Sequence, residues 1–131
     1  MGRSLEIRSD EQYSQNADLQ KLNTYISSLA YVQILTRSFA EFEKIEESLY
    51  MSIDLVLYDK DGNLLDLDHP EALTHDDAHR VNAVQFNIPI GALHGDERDQ
   101  SYINLALEIA QHLSWPLYDC DRGIYLEPSS S

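Results

Sequence analysis

Apolar and polar residues alternate in several short runs of this chain and recur at steps of three and four in two longer ones. Residues 4–8 put Leu5 and Ile7 on one side, which predicts a short first strand. From Leu19 to Glu47, apolar residues (Leu22, Ile26, Leu29, Val32, Leu35, Phe39, Phe42 and Ile45) return every three or four positions with no Gly or Pro between them. That period predicts one long helix. A break at Ser27-Ser28, giving two helices, is the alternative, and Tyr31–Thr36 also suits a strand. Met51, Ile53, Leu55 and Leu57 alternate with Ser52, Asp54, Val56 and Tyr58, the pattern of a strand with one face inward. Asp61-Gly62 is a tight-turn signal, with Leu64–Leu67 as the returning strand.

Residues 68–80 are polar and irregular, with room for a short helix at Asp76–Arg80. Val84, Phe86, Ile88 and Ile90 alternate again, and Pro89 places this strand near an edge or an end. Gly95-Asp96, followed by Glu97 and Asp99, reads as a helix start. Tyr102, Ile103, Ala106, Ile109, Ala110 and Leu113 form that helix's buried stripe, and Pro116 ends it. Two short strands follow, Leu117–Asp119 and Ile124–Glu127, around a turn with Asp121 and Gly123.

The expected order is β-α-β-(β)-β-α-β-β. It implies an α+β domain with a mostly antiparallel sheet, two main helices on one face, a ferredoxin-like order, and more helix than strand. Length suits a single domain over residues 1–127, with 128–131 as a loose tail.

Charge changes the picture most. Asp and Glu number 23 against 9 Lys and Arg, a net charge of −14. Such a surface repels nucleic-acid phosphates and anionic membranes, and it suits a basic protein partner, a cation, or solubility alone. No apolar run approaches the ~20 residues that span a bilayer, so a cytoplasmic location is expected. The one cysteine, Cys120, allows no internal disulfide. Flanked by Asp119 and Asp121, it is a poor nucleophile.

Catalytic motifs are weak. Asp59-Lys60-Asp61-Gly62-Asn63 resembles a calcium loop only in part, because Leu64 and Pro70 fall where that loop needs Gly and Glu. His75 and His79 stand four apart with His69 nearby, so a small enzyme or metal-binding domain built on these histidines and adjacent aspartates is one alternative. No phosphate-binding glycine loop or nucleophile elbow is present, and no catalytic residue, cofactor or metal is assigned. The feature above background is the acidic segment 59–77. It holds Asp59, Asp61, Asp66, Asp68, Glu71, Asp76 and Asp77 against one lysine. A second acidic group is Glu41, Glu43, Glu46 and Glu47, and the two would focus a negative field if they shared a side. Tyr102, Trp115, Tyr118 and Tyr125 gather around the last helix and hairpin, where they suit either a partly buried sheet or an interface.

Leu-Ala-Leu-Glu-Ile-Ala at 105–110, Leu117-Tyr118-Asp119 and Gly123–Pro128 are loosely similar to the C-terminal part of the ribonuclease-E inhibitor B family, though without that family's Trp-Gly in the hairpin. The resemblance covers under a fifth of the chain and implies an acidic, ferredoxin-like, non-enzymatic protein. The expected function is a small acidic non-enzymatic binding protein, of the immunity-protein or enzyme-inhibitor type. It would recognise a basic protein partner through segment 59–77, with a homodimer left open. A module that oligomerises through the long helix is a further alternative.

Overall fold

Strand β1 (Arg3–Arg8) buries Leu5 and Ile7 as their alternation requires. The computed structural model in which this is seen describes residues 2–93 and 99–126. A two-residue strand, β2 (Ala17–Asp18), leads into helix α1 (Leu19–Ser27). The Asp18 side chain caps that helix by accepting the Lys21 N–H at 2.8 Å. Leu19, Leu22 and Ile26 turn inward.

The helix expected over 19–47 stops at Ser27. The Ser27 hydroxyl donates to the Thr24 carbonyl at 2.7 Å, and the Ser28 hydroxyl donates to that of Tyr25. Tyr31 then takes a left-handed conformation at φ 64°. The chain continues as the hairpin β3 (Val32–Thr36) and β4 (Phe39–Lys44). Val32 and Phe42 belong to the three-and-four stripe, but with Ile34 and Ala40 they also satisfy a period of two. Paired as Val32 with Phe42 and Ile34 with Ala40, they put apolar groups on one sheet face. β-branched and aromatic residues favour that solution. The premise of a long oligomerising helix is therefore absent.

Strand β5 (Leu49–Tyr58) buries Leu49, Met51, Ile53, Leu55 and Leu57. Its hairpin partner is shorter than expected, only β6 (Leu64–Leu65). The helix expected at Asp76–Arg80 is a single 3-10 turn at Asp77–His79, followed by β7 (Arg80–Val81), which pairs with β2. Strand β8 (Ala83–Ile88) ends just before Pro89, yet it is central and not an edge, lying between β1 and β5. Helix α2 (Asp99–Leu113) follows, and the expected start at Gly95-Asp96 falls outside the described residues. Strands β9 (Leu117–Asp119) and β10 (Ile124–Leu126) close the chain as expected, while Glu127 and the tail lie outside the described residues.

The class is α+β: an antiparallel sheet with two helices. Among the described residues the main sheet has eight strands, ordered β10-β9-β1-β8-β5-β4-β3, with β6 attached to β5. The extra hairpin β3–β4 makes strand, not helix, the larger share. Both helices feed one core. Leu22 and Ile26 of α1 and Tyr102, Ala106 and Ile109 of α2 belong to the same buried cluster as Leu5, Ile7, Ile53 and Phe86 of the sheet. Tyr25 and His112 stack across the two helices at 3.7 Å.

Candidate interaction surface

Because the strands alternate, the face opposite the core is fixed by the residues between the buried ones. Register aligns Tyr125, Tyr118, Glu6, Gln85, Asp54 and Phe39 in one row across the sheet. A second row holds Ser4, Asn87, Ser52, Glu41 and Gln33. A shallow groove of about 590 Å³ runs over Ser4, Tyr50, Ser52, Asn87 and Asp121.

At one end, loop 9–16 folds onto this face. Asp10 accepts the Gln12 and Ser14 N–H groups at 2.9 and 3.1 Å, and Tyr13 reaches φ 54°. Tyr13 then donates its hydroxyl to Glu6 at 2.9 Å. Glu6, only 5% exposed, also accepts from Gln85 Nε2 at 2.8 Å and from Arg8 Nη1 at 3.2 Å. The Arg8 guanidinium lies 4.1 Å from the Tyr118 ring centre and bonds the Tyr125 hydroxyl at 3.3 Å. Burial pushes the Tyr13 phenol up to about 12, with Arg8 opposing and Glu6 adding to the rise. Period-two reasoning places Glu6 and Arg8 on this face, but only the fold brings Tyr13, Tyr58, Gln85 and Tyr118 to them.

The carboxylates of segment 59–77 divide in two. Asp59, Asp66, Asp68 and Asp77 build the segment itself. Asp59 accepts the Asp61 and Asn63 N–H groups, both at 2.9 Å, which shapes the turn. Asp66 accepts the Asp68 N–H at 3.0 Å and pairs with His69 Nδ1 at 2.6 Å, lowering its own carboxyl and raising the imidazole. Asp68 accepts the Ser38 hydroxyl at 2.8 Å, and Asp77 holds Arg80 at 2.7 Å. Asp61, Glu71 and Asp76 are exposed and carry the outward charge.

Asp54 links this segment to the second acidic group. It shares the open face with Glu41 and Glu43, and its carboxyl is raised by burial and then by nearby Asp68. Glu41 accepts the Tyr50 hydroxyl, which with burial pushes that phenol up to about 12. Lys44 pairs with Glu47 at 3.1 Å.

Of the histidines, His75 and His79 meet edge to face at 4.7 Å beside a depression of about 900 Å³ with Asp76, Asp77 and Arg80, while His69 is bound to Asp66. No group of three or more His, Cys, Asp or Glu among the described residues is arranged to hold a metal ion. The Cys120 thiol is raised by desolvation and then by Glu6, with the flanking Asp121 and Asp119 contributing less. Asp119 is fully buried and holds Arg3 at 2.8 Å. The four aromatics separate: Tyr102 and Trp115 are core, and Tyr118 and Tyr125 are on the open face. No helix among the described residues is long and apolar enough to cross a membrane.

Comparison with family models, with curated proteins and with solved structures returns no match. The likeness of residues 105–128 to ribonuclease-E inhibitor B carries no further argument.

Proposed function

We propose that this chain is a small acidic non-enzymatic binding protein that docks a basic protein partner through the outward carboxylates of segment 59–77 and the adjoining acidic end of the open sheet face. One observation carries the reading: five of the nine basic residues are turned onto the chain's own acceptors, while Asp61, Glu71 and Asp76 face solvent. Arg3 holds Asp119, Arg8 holds Glu6, Lys44 holds Glu47 and Arg80 holds Asp77. Arg37 donates to the backbone carbonyls of Leu67 and Ala78. Nine bases can neutralise at most nine of the 23 acids, so a large negative excess remains, and Asp61, Glu71 and Asp76 carry part of it at the surface. Such a field speeds capture of a positively charged surface.

The ferredoxin-like frame belongs to the same proposal. Strands β9-β1-β8-β5, taken alone with α1 and α2, stand in the order fourth, first, third, second, and the β3–β4 hairpin extends that frame past β5.

The test is capture from the native host's lysate at low and high salt, using the wild type and the triple variant Asp61→Asn, Glu71→Gln, Asp76→Asn. These positions leave the hydrogen bonds of Asp59, Asp66, Asp68 and Asp77 in place. A basic protein retained by the wild type at low salt, and associating several-fold more slowly with the variant in stopped-flow, supports the reading. Equal association rates and equal salt slopes refute it.

A further inference from the structure

We infer that β3 is a docking edge, where an extended segment of a basic protein partner, alternating apolar residues with lysine or arginine, adds to the sheet as a further strand. The inference rests on the proposed basic partner and names how that partner engages. Among the described residues, strand β3 ends the main sheet and pairs only with β4. The Glu43 N–H donates to the Tyr31 carbonyl at 3.0 Å, and Gln33 stands opposite Glu41. In an antiparallel ladder these alternate residues face the partner strand, so the backbone groups of Val32 and Ile34 point the other way. The Val32 N–H turns back to the Leu29 carbonyl at 3.4 Å. The Val32 carbonyl and both backbone groups of Ile34 are left aimed at the space beside the sheet.

Sheet edges are ordinarily blunted by charge or proline. This one reads Tyr31-Val32-Gln33-Ile34-Leu35-Thr36, without either, in a chain of net charge −14. Its only irregularity is the register shift between Ile34 and Thr36. Tyr31 is 53% exposed and Leu35 44% exposed, and Ile45 just past the neighbouring strand is 77% exposed.

Charge selects the occupant. Glu41 and Glu43 lie on β4, on the same face as Gln33, and Glu46 is exposed in the turn that follows. A strand laid on β3 sits about 10 Å from β4, two strand spacings, and long basic side chains on that face bridge much of the gap. On the other face its residues extend the half-buried apolar strip of Val32 and Ile34. Main-chain bonds then supply affinity and alternate side chains supply specificity. A second copy of this chain would instead bring its own Glu41 and Glu43 to roughly 14 Å, three spacings, like charge facing like charge.

The probe is a short fluorescent peptide alternating lysine with valine. Its controls are the same peptide with glutamate for lysine, and the same peptide N-methylated at alternate backbone amides. Binding is read by anisotropy, and the site is read by amide hydrogen exchange of the intact chain. The lysine peptide should bind at least about tenfold more tightly than either control, a gap of about 1.4 kcal/mol. It should slow exchange at Ile34, and Ile34→Pro, which spares the β3–β4 bonds, should abolish the effect. N-methylation acts on the probe, so the result survives even where the proline variant fails to fold. Three results overturn the inference: no binding of the lysine peptide, binding indifferent to N-methylation, or sedimentation showing that the chain alone dimerises through β3. Binding that is lost in the Asp61/Glu71/Asp76 variant but ignores N-methylation removes the edge alone and leaves the acidic-surface reading standing.

Discussion

Glu6→Gln removes a charge while keeping the shape of the side chain, and so tests what the open-face network contributes. Three donors converge on this carboxylate at 2.8, 2.9 and 3.2 Å, from Gln85, Tyr13 and Arg8. Hydrogen bonds to a charged group contribute roughly 1.5–3 kcal/mol each, and neutral ones roughly 0.5–1.5. A glutamine amide keeps one acceptor and turns an NH₂ toward the remaining donors. Gln85 retains the Tyr58 hydroxyl, and Arg8 retains Tyr125 and the Tyr118 ring, which softens the loss. The expected destabilisation is therefore about 2 kcal/mol. Urea unfolding followed by the single, buried Trp115 measures it. With a slope of about 1–3 kcal/mol per molar, the midpoint should fall by roughly 1 M. A cycle with Tyr13→Phe should show a coupling of about 1 kcal/mol, because the two residues meet directly. A midpoint shift under about 0.2 M, or a coupling below about 0.3 kcal/mol, would mean that water replaces these contacts without loss and that loop 9–16 is not held by Glu6.

Burial would raise the Asp119 carboxyl, but the Arg3 hydrogen bond and the Arg122 and Asp121 N–H groups outweigh it and hold the value below the ordinary 3.8. Its stabilisation is thus complete above the unfolded value and lost as pH falls through the lower folded value, so Asp119→Asn should weaken the fold by about 1–2 kcal/mol at pH 7, and the gap should close in denaturant series taken into acid below about pH 4. Asp54 carries the opposite sign: its raised carboxyl opposes folding once ionised, so Asp54→Asn should stabilise by under about 1 kcal/mol at pH 7 and have no effect in acid where both states are protonated. Tyr102, fully buried, donates to the Ala92 carbonyl at 2.7 Å and accepts the Tyr50 N–H at 3.1 Å, so Tyr102→Phe should lower the unfolding free energy by about 2 kcal/mol.

Where a segment allows only one periodicity, sequence reads the fold well. Leu5 and Ile7, the Met51–Leu57 alternation, and the strands at 117–119 and 124–126 all stand where period two puts them. Residues 19–47 fail because Val32 and Phe42 fit the helical stripe and, with Ile34 and Ala40, a strand alternation too, and the choice is made by β3–β4 and β4–β5 pairing, contacts no local window contains. The acidic segment is legible as composition but not as function. Composition does not separate Asp59, which shapes a turn, from Asp61, which faces solvent. The Glu6 network is illegible for the same reason, since its closest partners lie as far as 79 residues away.

Salt separates the two roles that charge plays in this molecule. The outward carboxylates repel one another, so their net effect on folding is unfavourable or nil, and screening them should leave the chain as stable or slightly more so. The same screening removes the long-range attraction for a basic partner as the Debye length shrinks from ~10 Å at 0.1 M to ~3 Å at 1 M. The contacts that hold the fold lie at short range and are largely shielded from ions: Glu6 with its three donors, Asp119 with Arg3, and the apolar core shared by both helices. One salt series should therefore raise or preserve the urea midpoint while steeply lowering the association rate. Parallel loss of both would place the acidic groups in the fold's own support, and they would then be unavailable for recognition.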